Sequence, residues 1–193
     1  MGFDFGGGIF VYQDRGTFEM RKRIFPAFLV LAVLSLSGCS KMDNSAGEGA
    51  GMPLTPGQKF TLKNLEGQDV RLEDQLSSHR AVLLDFWATW CAYCVEEMPN
   101  LIKLQQKHAA DGFTIIGVNA GESAEVASSF AKKAGMNFPV VLDSEMTVAQ
   151  EYGLVGIPTS ILIASDGTLL GKYYSFTRRL EADVARALEA KNA

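Results

Sequence analysis

The sequence is poor in residues that bind metals and nucleic acids. It contains only three cysteines and two histidines in 193 residues, and neither histidine stands at a zinc-finger spacing from the cysteines. A four-ligand zinc site is therefore not predicted, and we expect no bound metal. After the N-terminal region lysine and arginine form no cluster, and the formal net charge is −4. The basic patch that is typical of a nucleic-acid-binding protein is therefore not predicted, and we expect no nucleic acid partner.

The longest apolar run near the N-terminus is too short for a membrane-spanning helix. It covers residues 24–36, which is 13 residues, whereas a spanning helix needs ~20. It lies between Arg21-Lys22-Arg23 and Ser37-Gly38-Cys39, an order typical of a secretory signal peptide. The end of this segment resembles a bacterial lipobox, which implies cleavage before Cys39 and acylation of that cysteine. A plain secretory signal and an uncleaved anchor are the alternatives.

The N-terminal residues are predicted to lie outside the folded domain. Met20 directly precedes the basic segment, so we hypothesise that translation begins there and that residues 1–19 are a misassigned start. Residues 20–38 would form the signal peptide. Residues 39–58 would be the lipidated cysteine and a flexible tether rich in Gly, Ser, Ala and Pro. The folded domain would comprise residues 59–193, outside the cytosol and held at a membrane.

Strand and helix patterns alternate along the folded domain. Two alternating segments around Glu66-Gly67-Gln68 predict an N-terminal β-hairpin, and a short helical turn follows. The apolar strand 81–87 leads into a helix that should be kinked at Pro99. A later helix, ending at Gly135, should place Val126, Phe130 and Ala134 on its apolar face. Further strands, a final hairpin and a last helix predict an α/β fold, with a mixed central sheet and helices on both faces.

Cys91 and Cys94 lie three residues apart where the central strand meets the helix. This spacing lets their sulfurs meet without movement of the backbone. If Cys39 carries lipid, these two are the only remaining thiols, in a compartment where disulfides persist. We therefore predict a redox-active disulfide that needs no other cofactor. A purely structural disulfide is the alternative.

The segment Phe86-Trp87-Ala88-Thr89-Trp90-Cys91-x-x-Cys94-x-x-Glu97-Met98-Pro99 resembles the TlpA/ResA group of membrane-tethered bacterial thiol-disulfide oxidoreductases, within the thioredoxin superfamily. Gly156-Ile157-Pro158-Thr159 is similar to the cis-proline loop of that superfamily, and Asp166-Gly167 to the hairpin that follows it. The resemblance covers roughly residues 55–190 and implies a thioredoxin-like three-layer fold. One position departs from the pattern, because Asp85 stands where the TlpA/ResA group often has Asn and the thioredoxins have a buried Asp.

The resemblance implies a role for each cysteine and for two carboxylates. Cys91, at the helix N-terminus, would be the attacking thiolate, and Cys94 would resolve the mixed disulfide. Asp85, buried and with a raised pKa, would take the proton from Cys94, unless it is only a satisfied buried polar residue. Glu97 would keep the thiols protonated by its charge, and a solvated helix face is the alternative for it.

The loop around Pro158 and one tryptophan are predicted to bind substrate. A cis Pro158, with Ile157 and Thr159, would leave a backbone edge free to pair with an incoming peptide. Trp90 would contact the substrate, whereas Trp87 would pack in the core.

The resemblance implies an enzyme that reduces protein disulfides, with apocytochrome c or other envelope thiols as candidate substrates and a membrane-bound thiol reductant as partner. Ala92-Tyr93 provides no histidine to stabilise a thiolate, which favours a reductant. A thiol peroxidase is a weaker alternative, because such enzymes have Thr or Ser where this chain has Ala88. A carrier that binds Cu(I) through Cys91 and Cys94 is the non-enzymatic alternative.

Overall fold

The computed structural model describes residues 51–55 and 58–189, which form one eight-stranded mixed sheet and its flanking helices. The strands follow the order β1-β8-β7-β4-β5-β6-β2-β3 across the sheet. Their bounds are β1 Met52–Pro53, β2 Thr61–Asn64, β3 Asp69–Arg71, β4 Ala81–Trp87, β5 Phe113–Ala120, β6 Val140–Asp143, β7 Thr159–Ala164 and β8 Thr168–Tyr173. The helices are α1 Leu72–Ser78, α2 Ala92–His108, α3 Ala124–Ala134, α4 Thr147–Glu151 and α5 Arg178–Glu189. The predicted signal peptide and Cys39 lie outside the described residues.

The central strand β4 is buried along its whole length. It pairs in parallel with β5 and antiparallel with β7, so it has ladder partners on both sides while both of its faces are covered. This position explains why the sequence there is a continuous apolar run instead of an alternation. In this register Asp85 lies between Gly117 on β5 and Ser160 on β7.

Side chains of β4 alternate between two hydrophobic cores, one on each face of the sheet. Ala81, Leu83 and Trp87 belong to the core that α2 and α5 complete, and this core includes Cys91 and Cys94. The intervening positions of β4 face a second core that α1 and α4 complete. Helices thus cover both faces, which confirms the predicted three-layer fold. Because side chains alternate along a strand, Asp85 points to the layer of the cysteines.

The predicted elements are confirmed with small shifts at their ends. Strands β2 and β3 form the expected N-terminal hairpin, and β7 and β8 form the final one. Helix α2 continues through Pro99 to His108. Helix α3 ends at Gly135, whose φ of 69° is a left-handed conformation that glycine adopts without steric cost.

Two features of the fold differ from the prediction. Met52 and Pro53 pair with Leu169 and Thr168 at the sheet edge, so the sheet includes residues that the sequence analysis assigned to the tether. In α3 the predicted apolar face is wrong at Val126, which is 46% exposed, because the helix buries Ala127 and Ala131 instead. Within the described ranges, no helix is long and apolar enough to cross a membrane.

Candidate redox site

Cys91 immediately precedes α2, and Cys94 lies in the first turn of that helix. The two residues form a disulfide with their Cα atoms 5.3 Å apart, as predicted. The backbone N–H of Cys94 donates to Cys91 Sγ at 3.2 Å. A sulfur in this position faces unpaired N–H groups and the positive end of the helix dipole, which favour a thiolate once the disulfide is reduced. The arrangement can therefore support thiol-disulfide exchange.

Asp85 is a buried carboxyl group in the layer of the cysteines, and it is 1% exposed. Its pKa is raised from 3.8 to about 7, mainly by burial and also by the charge of Glu97, while a hydrogen bond from Ser160 opposes the rise. Ser160 Oγ donates to Asp85 Oδ1 at 2.8 Å. A carboxyl with this pKa can gain or lose a proton near neutral pH. The burial and the raised pKa are as predicted, whereas the catalytic role stays a prediction.

Glu97 is buried in the first half of α2, so the alternative of a solvated helix face is wrong. Its Oε2 accepts a hydrogen bond of 2.8 Å from the backbone N–H of Phe176, which lies between β8 and α5. Burial raises the pKa of Glu97, and the hydrogen bond from Phe176 partly offsets that rise. The side chain therefore connects α2 to a distant segment and acts electrostatically on Asp85.

The loop before β7 contains a cis peptide bond between Ile157 and Pro158, as predicted. Thr159 pairs with Phe86 near the C-terminal end of β4. The loop therefore lies at the end of the sheet where the chain leaves β4 and continues to the cysteines. Ile157 packs against the core that contains both cysteines. The Thr159 hydroxyl donates to the carbonyl of Gly156 at 2.7 Å. The structure thus places the buried Thr159 side chain within the loop instead of on its open surface.

A groove of about 590 Å³ opens between the start of α2 and the Pro158 loop. Tyr93, Glu97 and Pro158 contribute to its walls. A second cavity of about 200 Å³ adjoins the same loop and is lined by Trp90 and Ile157. Large apolar side chains are exposed around both openings, namely Trp90, Tyr93, Val155 and Tyr174. Such a surface is typical of a site that binds another protein chain.

One carboxylate near the site was missed by the sequence analysis. Glu122, in the turn after β5, accepts hydrogen bonds from the backbone N–H of Thr89 at 2.8 Å and from its hydroxyl at 2.5 Å. Asn119 Nδ2 donates to the same carboxylate at 2.7 Å. Partial burial would raise the pKa of Glu122, but these three bonds lower it below its ordinary value. The only sequence signal was a pair of polar residues where a buried strand ends.

The fold and the dithiol geometry agree with comparisons to known proteins. The model of the AhpC/TSA family matches residues 55–171. The chain belongs to the AhpC/TSA family. Within the described residues, no group of three or more His, Cys, Asp or Glu side chains could hold a metal ion.

Within this family, the chain is similar to thiol-disulfide oxidoreductases named ResA. The chain is 33% identical to the thiol-disulfide oxidoreductase ResA of Halalkalibacterium halodurans over 161 residues, which is 79% of this chain and 86% of that relative. It is 34% identical to ResA of Bacillus subtilis over 126 residues, 65% of this chain and 66% of that protein. A solved structure from Chlorobium tepidum, described as a thiol:disulfide interchange protein DsbE, superposes with a TM-score of 0.65 at 31% identity, and covers 72% of this chain and 97% of its own.

This AhpC/TSA protein is a thiol-disulfide oxidoreductase. Most of the predicted site residues lie at one end of the sheet. Asp85 is on β4, the cysteines follow soon after this strand, and β7 begins directly after Pro158. Glu97 and Trp90 enter the same region from α2 and from the loop before it. The roles that the sequence assigns to the individual side chains remain predictions.

Proposed function

We propose that the protein is an extracytoplasmic, membrane-held reductant of protein disulfides that works through the Cys91/Cys94 dithiol. The observation that carries this proposal is the placement of the Cys91–Cys94 disulfide at the start of α2, in the same layer as a buried Asp85 whose pKa is about 7. Electrons are carried by the two sulfurs, so the proposal requires no bound cofactor. Apocytochrome c and other envelope proteins are the candidate substrates.

The reaction would proceed by two thiol-disulfide exchanges. The Cys91 thiolate attacks one sulfur of the substrate disulfide, and the other substrate sulfur leaves as a thiolate. The Cys94 thiol then loses its proton to the Asp85 carboxylate, attacks Cys91 Sγ and closes the intramolecular disulfide. The second substrate thiolate is released, so that the substrate gains two electrons and the enzyme loses two. A membrane-bound thiol reductant would restore the dithiol.

Substrate would bind as an extended chain along the Pro158 loop. A backbone edge beside a groove suits β-pairing with a peptide, and main-chain hydrogen bonds there are insensitive to sequence. The exposed Trp90, Tyr93 and Val155 would contact apolar side chains of a substrate that has not yet folded. This mode of binding supports reduction of disulfides in unfolded proteins.

Membrane attachment would come from Cys39, which lies outside the described residues. Its position after a short apolar run and Ser37-Gly38 supports acylation after signal cleavage. Expression of the full chain and of Cys39→Ser, followed by detergent phase partitioning, tests this part. We expect the wild type in the detergent phase and the variant in the aqueous phase. Equal partitioning would contradict lipidation, and mapping of residues 1–19 in the precursor would contradict a start at Met20.

Insulin reduction tests the enzymatic part. Cys91→Ser should abolish activity, because it removes the attacking thiolate. Cys94→Ser keeps that thiolate and should accumulate a mixed disulfide with substrate, which non-reducing electrophoresis detects. Retained activity of Cys91→Ser would overturn the proposal. Peroxide consumption by the reduced wild type, abolished in Cys91→Ser, would favour the thiol peroxidase instead.

A further inference from the structure

The loop Ala88–Trp90 connects the central strand to the attacking cysteine. Thr89 is its one residue with a side-chain hydroxyl, and both the hydroxyl and the backbone N–H of Thr89 donate to Glu122. Glu122 is 33 residues away in sequence. The carboxylate therefore binds the loop through both of its oxygens at distances of 2.8 and 2.5 Å, a two-point arrangement that fixes orientation as well as position.

Glu122 is itself held in place. Asn119 Nδ2 donates to Glu122 Oε2 at 2.7 Å, and Asn119 is fully buried near the end of β5. In the sheet Asn119 is the register partner of Trp87, the last residue of β4. The pKa of Glu122 is lowered by its hydrogen bonds even though burial opposes this, so the side chain carries its charge at neutral pH. The sheet thus provides a rigid base for an ionised acceptor.

The loop continues directly into the hydrogen bonds that surround the dithiol. The backbone N–H of Cys91 donates to the carbonyl of Ala88 at 3.2 Å. The N–H of Cys94 donates in turn to Cys91 Sγ at 3.2 Å. A displacement of Thr89 would therefore move the backbone of Cys91 relative to the donor that its sulfur faces. It would also move Trp90, whose side chain lines the smaller cavity.

We propose that Glu122 is a positioning residue of the redox site, which fixes the loop Ala88–Trp90 so that Cys91 Sγ stays aligned with the first N–H groups of α2. This inference rests on the proposed function for its biological meaning. Glu122 contacts Thr89 and Asn119 instead of the sulfurs, so it acts on the reaction through the loop. Loss of the contact should slow attack by Cys91 and raise the apparent pKa of its thiolate, because the stabilising donor is displaced.

The test compares two Thr89 variants and one Glu122 variant in the full chain. Thr89→Ser keeps both donors and should behave as the wild type. Thr89→Val loses the hydroxyl, and Glu122→Gln loses the charge and one acceptor. We expect both to slow the reaction of the reduced protein with a small aromatic disulfide by about tenfold or more, since small misplacements of reacting groups have effects of this order. Because the two changes break one interaction, their combination should slow the reaction little beyond either change alone.

The readouts are the second-order rate between pH 5 and 9 and the free energy of unfolding. Glu145→Gln is the matched control, because Glu145 is exposed and the change removes the same charge beside Met146, which lines the smaller cavity. This variant should leave the rate and the pH profile unchanged. Wild-type rates and an unmoved profile in Glu122→Gln, or equal losses in Thr89→Ser and Thr89→Val, would overturn the proposal. If Glu122→Gln fails to fold, the two Thr89 variants decide the question. Failure of the wild type to reduce insulin would count against the proposed function alone, because the small disulfide still reports on the loop.

Discussion

Replacement of Asp85 by Asn should stabilise the oxidised protein increasingly as the pH rises above about 4, and it should slow catalysis. In the folded protein the pKa of Asp85 is about 7, against 3.8 for a free carboxyl group. This difference of about three pH units corresponds to about 4 kcal/mol, at ~1.4 kcal/mol per unit. Asn has nearly the same shape and does not ionise, and its amide oxygen can still accept the hydrogen bond from Ser160.

The pH dependence has a definite sign because the folded pKa lies above the unfolded one. Below about pH 4 the carboxyl group is protonated in both states and has no effect on stability. Between about pH 4 and 7 only the unfolded chain releases the proton, so the wild-type free energy of unfolding falls as the pH rises. The free energy of unfolding of Asp85→Asn does not fall in this way, because Asn does not ionise. Its advantage over the wild type should grow from near zero at pH 4 to as much as about 4 kcal/mol at pH 8.

Urea unfolding of the oxidised protein at several pH values measures this advantage, and insulin reduction measures the effect on catalysis. Loss of the proton acceptor should lower kcat/KM at pH 7 by roughly a hundredfold, the lower range for a general base. Asp69→Asn, at an exposed surface ion pair, is the control and should show neither effect. An Asp85→Asn variant that is less stable than the wild type at pH 8 would refute the argument from burial. One that is more stable but fully active would leave Asp85 as a buried polar residue without a catalytic role.

Three further predictions concern other parts of the site and the fold. Glu97→Gln should shift the midpoint of the kcat/KM profile that Asp85 determines to lower pH, because the charge of Glu97 raises the pKa of Asp85. An unchanged midpoint would contradict this coupling. Val155 is 88% exposed beside the Pro158 loop. Val155→Ser should therefore change the free energy of unfolding by no more than about 0.5 kcal/mol and raise KM for a peptide disulfide. An unchanged KM would exclude this side chain from substrate binding. Gly171→Ala should destabilise the protein by about 1–3 kcal/mol in urea unfolding. The added Cβ would clash with the hydroxyl of Tyr173, which donates a hydrogen bond to Asp183. Full stability would show that this ring can move.

The features that the sequence predicted well depend on local patterns. The continuous apolar run of β4 indicated a buried central strand, and the change of period after it indicated the helix that begins beside Cys91. The spacing of Cys91 and Cys94 predicts their bond within a single helical turn. Each of these inferences uses residues that are close together in the chain, so no knowledge of the tertiary packing was required.

The missed features depend on contacts between distant segments. Glu97 could be a solvated residue or a buried one, and the choice rests on Phe176, 79 residues further along the chain. The bond between Glu122 and Thr89 depends on the parallel register of β4 and β5, which no local pattern reveals. Val126 looked like a core residue by its chemistry, but α3 buries the small Ala127 and Ala131 and leaves Val126 exposed.

The edge strand β1 shows a further limit of pattern analysis. It is two residues long, exposed and contains a proline, so it has neither alternation nor an apolar run. Its position is determined by its pairing partner in β8. A segment of this kind reads as a linker until its partner is known.

The most direct measurement of the central claim is a titration of the Cys91/Cys94 couple in glutathione buffers, with the fraction of disulfide followed by thiol alkylation. The account predicts a cooperative two-electron transition at a potential well below about −220 mV, as expected for a reductant of protein disulfides. Cys94→Ser should show no intramolecular transition and serves as the control. A potential near about −120 mV, the range of a strong oxidant, would contradict the claim.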